Sequence, residues 1–237
     1  VHDNLQRGIF ISFEGIDGVG KSTQARLLSE RLSCIGYRVM LTREPGGTAI
    51  GDRIRDMLLH LEYQGVMSSI TELLLYNAAR AQHLRERIIP ALNDGMVVIT
   101  DRFTDSTIAY QGYGRGIDIS SIQSLDQIAT NGLKPHLTVL LDVDVETGLS
   151  RNRGINKIDR LEIEEVSFHR KVREGFLRIA EDAPERFLIV DASAEIEQIK
   201  EEVWQGVRRE MKKGFSSASC SGTEGNLPAQ ERVEKRL

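Results

Sequence analysis

Residues 9–22 read IFISFEGIDGVGKS: an apolar, β-branched run, a turn holding Gly15, Gly18 and Gly20, then Lys21-Ser22 at the head of a segment with helical period. Few folds accommodate that order. Gly15, four residues, then Gly20-Lys21-Ser22 is the spacing of a phosphate-binding loop, and the motif has meaning because a strand precedes it and a helix follows. Glycines let backbone N–H groups converge on anionic oxygens, and the helix start adds the positive end of its dipole. Gly15, Ile16, Asp17, Gly18, Val19, Gly20, Lys21, Ser22 and Thr23 are therefore expected to wrap a nucleoside triphosphate. Lys21 would be the point charge on its β/γ-phosphates and Ser22 a Mg²⁺ ligand. Asp17 sits awkwardly there, since a carboxylate repels phosphate unless it faces elsewhere.

The rest of the chain repeats the strand-then-helix alternation. Apolar runs at 9–13, 38–42, 96–100, 137–143 and 187–190 show no clean alternation, which predicts strands buried on both faces. Between them, Ala25, Leu28, Leu32 and Ile35 form one helical stripe, and Leu74, Ala78, Ala81, Leu84 and Ile88 another within 70–92. Segments 119–131, 144–152, 162–181 and 194–212 read as further helices. The fold class is α/β, a five-stranded parallel sheet with helices on both faces. One domain is expected over 1–213. From Gly214 the chain turns rich in Ser, Gly and charge, and 214–237 reads as a mostly disordered tail.

The bulk properties narrow the partners. A formal net charge of −4 over 237 residues argues against a broad nucleic-acid surface. Cys34 and Cys220 have no metal-ligand spacing. No apolar run approaches the roughly 18 residues a membrane span needs, and VHDNLQRG is no signal peptide. A cytoplasmic protein with no nucleic-acid or membrane partner is expected.

Three kinds of phosphate-loop protein compete. A GTP switch needs a guanine-reading motif, which NKID at 156–159 could supply, but a charged stretch precedes it where a buried strand is required. A motor ATPase usually has a longer chain. A kinase explains more residues, because donor and acceptor phosphates repel one another and need many cations. Arg43 and Arg102 follow strand runs, at the carboxyl edge where parallel sheets bind ligands. Arg151, Arg153 and Arg160 share one polar stretch.

The pieces FEGIDGVGKSTQ, TREPGG (42–47), LLLYNAARAQH (73–83), DRFTDSTIAYQGYGRG (101–116), LDV (141–143) and DRLE (159–162) occur in one order. Together they resemble the thymidylate kinase family over nearly the whole chain except the tail. The resemblance implies a P-loop nucleoside monophosphate kinase that phosphorylates dTMP with ATP and Mg²⁺, and a homodimer formed through helices on one sheet face. By the same resemblance Asp17 turns away from ATP toward the acceptor's 3′-hydroxyl, or holds an arginine in place. Arg43 and Arg102 would grip the dTMP phosphate, and Asp101 would hold Mg²⁺ through water. Tyr76 and Arg80, four apart on a helix, would stack on the thymine and hydrogen-bond its carbonyl. Ser106 and Thr107 would meet the base edge, and Tyr110 would crowd the 2′ position with Gln111 close by. Gly18 stands where some members carry a basic residue, which points to catalytic arginine in a lid at about 151–162, from among Arg151, Arg153 and Arg160. The alternatives that stay open are another pyrimidine monophosphate (dUMP or UMP) as acceptor, and the GTP switch.

Overall fold

A computed structural model describes residues 8–153 and 159–218. Strands β1 (Ile9–Glu14), β2 (Val39–Arg43), β3 (Val97–Asp101), β4 (Leu137–Asp142) and β5 (Phe187–Asp191) form one sheet. Their order is β2-β3-β1-β4-β5, and every neighbouring pair is parallel. The five expected strands are all present, with ends shifted by about a residue, so Arg43 closes β2 where it was expected just beyond it. Burial on both faces holds for the three central strands only. Leu41 on β2 and Ile189 on β5 are 44% and 48% exposed, because the helical layers cover the middle of the sheet and leave its margins half open.

Side-chain alternation along β1 sorts the two layers. Phe10 packs with Leu84, Ile88, Leu92, Val98 and Phe103. Ile11 and Phe13 join the larger core that holds Leu28, Leu32, Val203 and Trp204. Helix α1 (Lys21–Cys34) therefore lies beside the C-terminal helix on one face. Helix α2 (Ala49–Leu59), unread in the sequence, starts at Thr48, whose hydroxyl accepts from the Gly51 N–H. Next come α3 (Ser69–His83), a π-helical turn Leu84–Ile88 and α4 (Ile89–Asn93), which run on as one rod. After β3 come the short α5 (Thr104–Thr107), a π-helical segment Ile108–Gly114 and α6 (Ile119–Thr130). The chain then supplies α7 (Val145–Arg153), α8 (Val166–Asp182) and α9 (Ile196–Ala218).

Two expectations need correcting. On α3 the apolar stripe does not face the core: Leu74 is 48% exposed, while Glu72, Leu73, Asn77, Arg80 and His83 are buried. A polar network, described below, has claimed the inner face. The C-terminal helix also runs past Gly214 to Ala218. Residues 219–237 of the expected tail, 154–158 of the expected lid, and most of the NKID motif lie outside the described residues. No helix among the described residues is long and apolar enough to cross a membrane.

Phe176 on α8 is 1% exposed and meets the Tyr110 ring edge-on at 6.2 Å. Phe176→Ala is expected to cost about 3–5 kcal/mol. Denaturant melts followed by the emission of Trp204, the single tryptophan, check this; a loss under about 1 kcal/mol would contradict the packing described.

Candidate active site

The phosphate loop is shaped by what its glycines avoid. Gly15 has φ +134°, and a Cβ there would lie 2.4 Å from the Leu141 carbonyl oxygen of β4, so β1 and β4 approach as closely as they do only with glycine. Lys21 opens α1, and its Nζ donates to the Ile16 carbonyl at 2.7 Å, folding the loop around the ammonium. Burial, helped by the Arg102 charge, pushes the Lys21 ammonium down to about 8, against the pull of Asp17 and Asp101.

Ser22 Oγ makes a short hydrogen bond to Asp101 Oδ2. The residues expected to bind metal thus come together from α1 and the end of β3. No group of three or more His, Cys, Asp or Glu side chains suited to a metal exists among the described residues. One hydroxyl and one carboxylate nonetheless fit Mg²⁺, which takes few protein oxygens and completes its shell with water and phosphate.

Asp17 faces an arginine. Arg102, directly after β3, has φ +74°, a left-handed backbone that costs a non-glycine residue about 1–2 kcal/mol. Three bonds hold it there. Its N–H donates to the Phe13 carbonyl at 2.9 Å, and its carbonyl accepts from Thr100 Oγ1 at 2.9 Å. The next N–H, of Phe103, donates to Glu14 Oε1 at 2.7 Å. The conformation turns the guanidinium back over the loop, where it donates to the Gly15 carbonyl, Ser106 Oγ, Asp17 Oδ1 and Tyr110 Oη at 2.5–3.1 Å. Tyr110 in turn donates to Asp17 Oδ2 at 2.8 Å. Burial alone would push the Asp17 carboxyl up, but Arg102, Lys21 and these hydrogen bonds hold it well below the usual carboxylate range. Glu14 sits in the opposite situation: burial and neighbouring Asp105 push its carboxyl up to about 8.

Beyond Arg102 opens a cleft. Asp17, Tyr76, Arg80 and Arg102 line it, together with Ser106, Thr107, Tyr110 and Gln111. Eight of the sequence-predicted residues therefore converge from the loop, α3, the end of β3, α5 and the π-helical segment. Arg80 is buried and bonds Glu44, Asp126, the Phe103 carbonyl and Thr107 Oγ1. Gln111 Nε2 donates to Glu72 at 2.8 Å. Arg43 is exposed, 3.9 Å from Asp52, and does not line the cleft.

Of the expected lid arginines, Arg160 is held in place by the fold. Arg160 is 2% exposed and committed to the Leu58 carbonyl and Glu72. A guanidinium so held is placed to anchor its segment and is not free to follow a phosphate. Arg151 Nη1 donates to the Ala192 carbonyl at 2.7 Å. Arg153 ends α7, and its side chain lies outside the described residues. α7 itself reaches the phosphate loop: a Cβ on Gly148 would lie 3.0 Å from the Asp17 carbonyl oxygen.

Sequence reasoning missed Arg55, which lines the cleft and donates to the Pro45 carbonyl at 2.9 Å. Burial and neighbouring Arg43 push its guanidinium down, the mark of a site short of anions. Its signal was the unread helical period of TAIGDRIRDML. Glu14 and Glu72, which hold other site residues, also went unnoticed.

The strained backbone at Arg102 makes a comparison of two variants informative. Arg102→Gly relieves the left-handed penalty that Arg102→Ala retains, so the glycine variant should be the more stable by about 1 kcal/mol. Thermal or denaturant melts measure the difference; an alanine variant at least as stable as the glycine one would count against strain.

A family model described as thymidylate kinase matches residues 13–203. A thymidylate kinase of Geotalea uraniireducens is 49% identical over 215 residues, which span 87% of this chain and 100% of that protein. One from Caldanaerobacter subterraneus is 47% identical over 206 residues, 87% of this chain and 98% of the relative. Among solved structures, the thymidylate kinase of Ehrlichia chaffeensis superposes with a TM-score of 0.70 at 39% identity, covering 85% of this chain and 99% of that one. With a glycine-built phosphate loop, a cleft opening beside it and relatives matched along nearly their whole length, this chain belongs to the thymidylate kinase family.

Proposed function

We infer that this protein transfers the γ-phosphoryl group of ATP to dTMP, giving ADP and dTDP. One observation carries the reading: Arg102 bonds the Gly15 carbonyl and Asp17 of the phosphate loop while lining the cleft beyond it. Donor and acceptor sites thus share a single cation at the point where their phosphates must meet. Phosphoryl transfer needs in-line positioning and cancelled charge, with no covalent intermediate on the enzyme.

In this reading the loop amides and Lys21 hold the ATP phosphates. Arg43, Arg55 and Arg102 receive the dTMP phosphate, and guanidinium suits that task because it binds phosphate oxygens in pairs and keeps its proton. Tyr76 stacks on the thymine, and Arg80, Ser106, Thr107 and Gln111 read its edge. Tyr110, its hydroxyl tied to Asp17, presents its ring to the sugar and favours deoxyribose. Asp17 keeps Arg102 and Tyr110 in register and accepts from the 3′-hydroxyl. Ser22 and Asp101 would hold Mg²⁺, whose charge would offset that of the β/γ-phosphates. Arg151 and Arg153 serve the donor side, while Arg160 acts by anchoring the segment after 158.

A coupled ADP-release assay tests the reading with ATP and, in turn, dTMP, dUMP, UMP, CMP and AMP. Turnover led by dTMP, lost on chelation, is expected. Lys21→Ala should lower kcat by roughly 10³-fold, the scale of a lost transition-state cation. Near-normal turnover of a folded Lys21→Ala protein, or no acceptor dependence, would refute it.

The assembly we propose is a homodimer in the cytoplasm. Helices α2, α3 and α6 pack in series, and exposed Ile50, Met57, Leu74 and Ile128 leave this layer unusually apolar for a free surface. An exposed free Cys34 suits a reducing compartment. Sedimentation should give a dimer that Ile128→Glu weakens by tenfold or more, the effect of a buried interfacial charge; a monomer at micromolar concentration would contradict the assembly.

A further inference from the structure

The buried face of α3 carries an arginine whose valences are almost all taken. Arg80 has five N–H groups. Nε donates to Glu44 Oε2 at 2.9 Å, and Nη2 donates to the Phe103 carbonyl at 3.2 Å and to Thr107 Oγ1 at 2.7 Å. Nη1 donates to Asp126 Oδ1 at 2.7 Å. One N–H remains, on Nη1, in a residue that lines the acceptor cleft. Two carboxylates from separate elements therefore fix the plane of the guanidinium. Glu44 is shared with His83 Nδ1 at 3.0 Å, and that ring reaches Thr42 Oγ1 at 2.7 Å through Nε2. Asp126, from α6, serves Arg80 alone among the hydrogen bonds of its side chain.

Asp126 is a costly residue to bury. Burial pushes its carboxyl up to about 6, with Arg80 opposing. Its Oδ2 is buried without a hydrogen-bond partner, a state that proteins seldom tolerate without return. Packing of α6 on α3 does not require it, since an apolar side chain would serve that purpose without an orphaned oxygen. What Asp126 does supply is an anchor on the one nitrogen of Arg80 that still has a proton to offer.

We propose that Asp126 is a positioning residue for acceptor recognition, holding Arg80 so that its remaining Nη1–H meets a carbonyl oxygen of the pyrimidine base. The inference rests on the reading of the cleft as the dTMP site. Two carboxylates also offset the guanidinium charge, which suits a neutral carbonyl and leaves the phosphate to Arg43, Arg55 and Arg102.

Steady-state kinetics on the full chain test it, with Asp126→Ala, Asp126→Asn, Arg80→Ala and the Asp126→Ala/Arg80→Ala double variant. Asp126→Ala should raise KM for dTMP roughly tenfold or more, the worth of one charge-assisted hydrogen bond. KM for ATP should stay within about twofold, because the donor loop does not touch Asp126. Asp126→Asn, which keeps an oxygen toward Nη1 and safeguards folding, should recover part of the loss. In the Arg80→Ala background Asp126→Ala should add nothing, since residues acting through one another are not additive. Three results would overturn the proposal: unchanged KM for dTMP in both Asp126 variants, equal rises in KM for both substrates, or the full Asp126→Ala effect surviving without Arg80. If Arg80→Ala itself leaves KM for dTMP unchanged, the placement of the base fails first and takes this inference with it.

Discussion

The bond between Arg102 and Asp17 is the interaction on which the site depends. It joins the end of β3 to the phosphate loop after β1, and it explains a carboxylate inside a loop built for anions: the acid serves an arginine, not a phosphate. The arrangement has a cost, because Arg102 occupies left-handed backbone. That strain persists because Phe13, Thr100 and Glu14 fix the peptides on either side. Glu14 matters twice, since it also accepts from Ser106 Oγ, which itself receives an Arg102 N–H. Remote backbone bonds thereby decide where a reacting charge sits.

A second principle runs through the acceptor side: buried acids are distributed to aim basic groups. Glu72 collects Gln111, Arg115 and Arg160 from two segments. Asp105 holds Arg186 through both oxygens, tying α5 to the segment before β5. Such pairs bring little net stability, because desolvation offsets most of the attraction. Their value is geometric. Removing one partner leaves a buried charge alone, so each pair admits few alternatives.

Much of this was legible in the chain. The phosphate loop and the five strands could be read because local spacing carries them, glycines in a turn and short apolar runs, whereas Tyr76, Arg80, Ser106, Thr107, Tyr110 and Gln111 were reached through the family resemblance of the motifs that hold them. What could not be read depends on pairing across the fold. Leu74 looked like core because α3 has a clean apolar period, yet Glu72 and Arg80 took the inner face once Glu44, Asp126 and Arg115 were there to satisfy them. Arg160 looked like a free lid cation because it ends the basic, polar stretch RNRGINKIDR. No sequence pattern announces that Glu72, 88 positions away, will claim it.

The strand order has one more effect. β1 lies between β3 and β4, and Arg102 N–H reaches the carbonyl of Phe13. A nascent chain therefore holds a complete glycine loop long before the arginine that disciplines Asp17 has been made. Until β3 docks, Asp17 has Lys21 of its own loop as a cationic neighbour but lacks the guanidinium that fixes its direction. The final geometry of the loop thus waits on a contact between segments far apart in the chain, the one that closes the centre of the sheet.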